Sequence, residues 1–150
     1  SYKSKDKLDD WYILILLHYL DLADGTPLYH QAVHFGELKD GLIRGSRFDK
    51  TVEREFASFL SDKKDEDIIN LCKSLDGEII KSKFDLSVVF YLFPNYPVTL
   101  NIWFADDEFG AVGNMLVDKS ADNYLTIEDD VVAGEFMLRY IFERYNELYM

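Results

Sequence analysis

Apolar residues along DKLDDWYILILLHYLDLADG (residues 6–25) fall nearly all round a helical projection, with acids at the start and Gly25 after the last turn. That pattern predicts a buried N-terminal helix. The next stretch, TPLYHQAVHFGELKDGLIRGSRF (26–48), is punctuated by Gly36, Gly41 and Gly45, which predicts loop with one short strand or helical turn. FDKTVEREFASFL (48–60) sets Phe48, Val52, Phe56 and Phe59 or Leu60 on one side. DEDIINLCKSLDG (65–77) does the same with Ile68, Leu71, Cys72 and Leu75, so both read as shorter amphipathic helices.

The period then changes from helical to two. DLSVVFYLF (85–93) and VTLNIWFA (98–105) are rich in β-branched and aromatic residues, and PNYP separates them with Pro94 and Pro97 outside the ladders. DDEFG turns the chain into AVGNMLV (111–117). The expectation is a three-stranded antiparallel meander over about residues 86–117, packed against the first and last helices. TIEDDVVAGEFMLRYIFERYNELYM (126–150) carries Val131, Val132, Phe136 and Tyr145 at mixed three and four spacings, which predicts a long C-terminal helix. The fold class is therefore α+β: an antiparallel β-meander packed against a buried N-terminal helix, a long C-terminal helix and two shorter helices. At 150 residues, 48% hydrophobic, the chain is read as one domain spanning 1–150.

Composition narrows the partners. Sixteen basic against 28 acidic residues give a net charge of −12, which opposes binding to nucleic acid or an anionic membrane. The longest apolar run, Trp11 to Leu17, falls short of the ~20 residues a bilayer span needs and lacks the flanks of a signal peptide. With Cys72 as the single cysteine, neither a disulfide framework nor a cysteine-held cluster is available within the chain, and a reducing, cytoplasmic location fits.

Residues that carry chemistry are sparse. DKSADNYLTIED (118–129) puts Asp118, Ser120, Asp122, Thr126 and Asp129 at the ligand offsets of a calcium loop, with Asn123 where a left-handed backbone is required. Such a loop also needs an entering helix and a bidentate Glu at its twelfth position, whereas a strand pattern precedes this one and Asp129 stands twelfth. The same letters make a helix start, with Thr126 as N-cap, Asp129 completing a capping box, and Glu128 to Asp130 against the positive end of the helix. The cap is the more economical reading; a metal site of Asp118, Ser120, Asp122 and Asp129 is the alternative.

His18, sitting in the buried helix, and His30 and His34, lying in the glycine-punctuated segment, have no acidic third ligand at motif spacing. Asp106, Asp107 and Glu108 at the hairpin are candidates for acid–base chemistry, but three neighbouring acids at a tip read first as a solvated turn. No nucleophile elbow, phosphate loop or dinucleotide fingerprint is present, so no catalytic residue or cofactor is assigned and no hydrolase turnover is expected. Tyr91, Phe93, Trp103 and Phe104 on the strands, with Tyr12 and Tyr19 on the first helix, are either core or the lining of a pocket between sheet and helices. Tyr91, Trp103, Tyr12 and Tyr19 are the candidate ligand-binding residues.

LLHYLDLADGTPL, HFGELKDG and YPVTLNIWFADDEFGAVGNMLVDKSADNYLTIEDDVVAGEFML together resemble the domain-of-unknown-function family three-seven-eight-six. The most distinctive element is D-x-S-A-x-x-Y-L-x-x-E-D, the stretch beginning at Asp118. The resemblance implies an origin among anaerobic bacteria and archaea and kinship with forms attached to iron–sulfur or corrinoid-associated modules. It implies no activity, and the cluster-binding cysteines of the fused forms are absent. Two function classes follow: a binding or accessory domain for a small ligand or protein partner, and a small metal-assisted enzyme using the acids of the hairpin and the 118–129 loop.

Overall fold

The computed structural model describes residues 2–150, with side chains described at Asp10 and from Tyr12 onward. Its helices are α1 (Tyr2–Leu22), α2 (Arg44–Leu60), α3 (Asp65–Ser74) and α4 (Ile127–Tyr149). Its strands are β1 (Ala32–Val33), β2 (Glu78–Ile80), β3 (Leu86–Phe93), β4 (Tyr96–Trp103) and β5 (Val112–Asp118). All five strands join one antiparallel sheet in the order β1-β5-β4-β3-β2, so the fold is α+β and the β3-β4-β5 meander stands where the two-residue period begins. The edge strands β1 and β2 extend the expected three strands to five; two or three residues are too few to display a period.

Pro97 corrects the sequence reading, because it lies inside β4 opposite Tyr91. It precedes the first β4–β5 pair, Val98 with Val117, at the end of the ladder where a missing N–H is tolerated. Pro94 and Asn95 make the tight turn between β3 and β4, and neither has a positive φ. Such a turn matches strand twist poorly, and the register shift between Tyr91 and Phe93 absorbs the mismatch.

One sheet face, with Val88, Leu100, Ile102 and Met115, is buried in the core beneath the helices. A Cβ on Gly113 of β5 would meet Phe56 of α2 at 2.9 Å, so glycine there lets the helix lie close. The opposite face carries a polar row across three strands. Ser87 Oγ donates to Asn101 Oδ1 at 2.6 Å, and Asn101 Nδ2 donates to Asn114 Oδ1 at 3.1 Å.

Helices α2 and α3 bury Phe48, Val52, Phe56, Leu60, Ile68, Leu71 and Cys72, as their spacing predicts. Helix α2 starts at Arg44, earlier than the glycines suggest, and passes so close to the Phe35 carbonyl that a Cβ on Gly45 would lie 2.3 Å from it. Helix α1 is a larger correction. It runs antiparallel to α4, with Tyr12 near Phe136 and His18 near Asp129. Ile15 and Tyr19 are buried, but Ile13, Leu17 and Leu20 are 54%, 57% and 63% exposed. An apolar circumference does not force burial on all sides when the described neighbours, α4, Phe93 and Tyr124, cover one side of the helix. Trp11 and the acids before Asp10 lie outside the described side chains. Among the described residues no helix is long and apolar enough to cross a membrane.

Candidate functional site

The stretch from Asp118 to Asp129 is a clasp. Chain leaving β5 enters a 3-10 turn, Lys119–Asn123, before α4. Asp118 accepts from the backbone N–H groups of Tyr29 and Gln31 at 2.9 Å each, from Ser120 N–H at 3.1 Å, and from the Ser120 hydroxyl. Burial alone would raise its carboxyl, but the Ser120 hydroxyl and the three amides outweigh that and hold it below the usual carboxylate range. Tyr124 donates to the Thr26 carbonyl, and Asn123 Nδ2 donates to the Tyr29 hydroxyl at 3.1 Å. Residues 26–31 are thereby fastened to residues 118–124 through side chains of the most distinctive sequence element.

The remaining members of the proposed metal set are also engaged. Asp122 accepts from Lys39 N–H at 3.0 Å and pairs with Lys119 at 3.4 Å. Asp129 N–H donates to the Thr126 hydroxyl at 3.4 Å, so Thr126 caps α4 as the sequence predicts. The Asp129 carboxylate bonds the Thr126 hydroxyl at 3.2 Å and pairs with His18 Nδ1 at 2.9 Å. His18 is therefore half exposed and paired, not embedded in a buried helix. His30 is exposed with a positive φ, and His34 N–H donates to Glu37 at 3.2 Å. Among the described residues no three His, Cys, Asp or Glu side chains stand in an arrangement that could hold a metal. At the hairpin, Asp106 accepts from the Phe109 and Glu108 amides at 2.7 and 2.8 Å, which lower its carboxyl.

The burial of Asp130 escaped the sequence reading, which placed it with Glu128 and Asp129 against the positive end of the helix. It is fully buried, and Tyr96 donates to its Oδ1 at 2.5 Å while Oδ2 has no partner. Burial, opposed by the Tyr96 hydrogen bond and reinforced by Asp122 and Asp129, pushes its carboxyl well above the usual range. An EDD run gives no signal that its last member turns inward.

A concave feature lies elsewhere among the described residues. Strand β2 pairs only with Ser87 to Val89 of β3, and past its end a pocket of about 520 Å³ opens. Tyr12 of α1, Leu75 and Asp76 after α3, Tyr91 of β3, and Phe136 and Tyr140 of α4 line it. Phe136 lies against Tyr12 at 5.2 Å between ring centroids and against Tyr140 at 6.0 Å, making a continuous aromatic wall.

Of the four candidate ligand-binding residues, the pocket brings together Tyr12 and Tyr91. Tyr19 is core, stacked on Phe93 at 4.5 Å and on Tyr124 at 5.2 Å. Trp103 sits at the far end of the sheet against Phe84 at 5.1 Å. Phe136, Tyr140 and Asp76 belong to the pocket, yet sequence reasoning did not connect them with it. The spacing of Phe136 and Tyr140 by four on one helix is the signal that was available.

The family model of Domain of unknown function (DUF3786) matches residues 2–140, and the chain belongs to that family. No curated protein and no solved structure matches it.

Proposed function

We propose that the chain is a binding or accessory domain whose site is the pocket bounded by α1, α4, the end of α3 and the free edge of β3. The observation that carries this reading is the pocket itself. Its volume of about 520 Å³ lies in the range of small-ligand sites, and aromatic walls with one convergent charged group are the usual composition of such sites. The association with corrinoid and iron–sulfur modules that the family resemblance implies would set the domain beside such proteins, with the metal centre held by the partner. Cytoplasmic residence is part of the proposal and is supported by the single cysteine, Cys72, which leaves no disulfide to be formed within the chain.

Thermal melting with a panel of aromatic, cationic and corrinoid ligands tests it. A ligand of this site raises the melting temperature with concentration, and the rise shrinks in Tyr140→Ala; a panel with no such ligand overturns the reading. The alternative, a metal-assisted enzyme, draws on the exposed side-by-side acids Asp107 and Glu108 at the hairpin tip. Stabilisation by divalent cations that EDTA reverses, and that Asp107→Ala abolishes, would favour it instead.

A further inference from the structure

We propose that the ligand of the aromatic pocket is an ammonium cation, seated against the Tyr12–Phe136–Tyr140 wall and paired with Asp76. The proposal rests on the pocket being a binding site and names its ligand class. Three observations carry it.

The first is where Asp76 stands. Helix α3 ends in a reverse bend in which Gly77 N–H donates to the Cys72 carbonyl at 3.0 Å and Asp76 N–H to the Lys73 carbonyl at 3.1 Å. Asp76 occupies the left-handed position of that bend with φ of 58°, where glycine or asparagine is ordinarily found. Its carboxylate also sits at the negative end of the helix dipole. The backbone accepts asparagine as readily as aspartate, but the dipole disfavours the charge, yet it is the charged residue that lines the pocket.

The second is charge. Among the described lining residues Asp76 is the charged one and none is basic, and the whole chain carries −12. Field and pocket both attract a cation and repel an anion.

The third is an internal precedent. A second depression is lined by Phe59, Phe142 and Lys63 among others, and the chain's own ammonium lies over aromatic rings beside it: Lys63 Nζ is 4.4 Å from the Phe59 ring centroid and 4.9 Å from that of Tyr145. This protein already uses aromatic faces to seat an ammonium group. Lys63 also pairs with the Asp62 carboxylate at 2.9 Å, and the pocket beside Asp76 repeats this combination of aromatic rings and a carboxylate.

Isothermal titration and tyrosine fluorescence with choline, with N-acetyl-lysine methylamide, and with 3,3-dimethylbutan-1-ol as the uncharged isostere of choline test the proposal. Saturable binding of choline or of the lysine derivative is expected, at least tenfold tighter than the alcohol and at least tenfold weaker in Asp76→Asn. The preferred ammonium ligand distinguishes a free quaternary cation from a side chain presented by a partner. Because asparagine suits a left-handed helix terminus, Asp76→Asn should fold, with a melting temperature equal to wild type or raised by about 2 °C, so weakened binding is not a folding defect. Equal binding of the alcohol, or full binding by Asp76→Asn, overturns the cation while leaving an apolar binding site intact. Failure of all three probes together with neutral aromatic fragments overturns the site as well.

Discussion

The clasp around Asp118 and the pocket beside Asp76 are both rich in the residue types that perform chemistry, and they use them in opposite ways. In the clasp the polar groups are turned on the chain itself: Asp118 on three amides and a hydroxyl, Asp129 on Thr126 and His18, Tyr124 on the Thr26 carbonyl. In the pocket Asp76 and the rings of Tyr91 and Tyr140 face a cavity and are exposed. A distinctive polar motif therefore marks a structural fastening here, while the proposed binding surface is assembled from aromatic residues and an aspartate that no motif announces.

Breaking the clasp should have the largest effect. Asp118→Ala leaves three backbone donors without their acceptor and should cost on the order of 3 kcal/mol in urea unfolding. Asp118 also sets a pH dependence. Its folded carboxyl is held below 3.8, so its stabilisation is complete above the unfolded value and is lost as pH falls through the folded one. Asp118→Asn should flatten that acid limb.

The buried acid comes next. Tyr96→Phe removes the donor to Asp130 and should cost ~2 kcal/mol. Asp130 titrates in the opposite sense to Asp118. Its folded carboxyl lies well above 3.8, so between the two values the native state holds a proton that the unfolded chain has released, and stability falls as pH rises. Asp130→Asn, a neutral isostere, should remove this decline and raise the melting temperature at neutral pH relative to wild type; a loss of stability there would show that the carboxylate is ionised and needed in the fold.

Capping contributes less. Thr126→Ala should lower stability by ~1 kcal/mol, equally in calcium and in EDTA. A loss seen only in calcium would return residues 118–129 to the role of a metal loop.

The smallest effect is expected in the pocket. Tyr140 is 48% exposed, and Tyr140→Ala should change stability by no more than about 0.5 kcal/mol while removing ligand-induced stabilisation. That contrast with Asp118→Ala would separate a surface kept for binding, as proposed for the pocket, from one kept for folding.

Legibility from sequence followed the same division. Helices α2, α3 and α4 and the central meander were readable because each repeats its period over enough residues to mark a buried face, and Thr126 was readable because a cap is a local device. Strands β1 and β2 were too short to mark a face. The exposed side of α1 was hidden because its apolar pattern runs all round. Asp130 and the pocket were hidden for a further reason: both arise from side chains brought together across long separations, Tyr96 with Asp130, and Tyr12 with Asp76, Tyr91 and Tyr140. Local spacing on one element shows only fragments of such meetings, such as the Phe136–Tyr140 pair.

The central claim is that binding belongs to the pocket and fastening to the clasp. Amide chemical-shift mapping of the wild-type chain during titration with choline tests it most directly. The account predicts saturable shifts concentrated at residues 75–77, 90–92 and 136–140, with residues 118–130 unmoved. Shifts concentrated at residues 118–130 would contradict it.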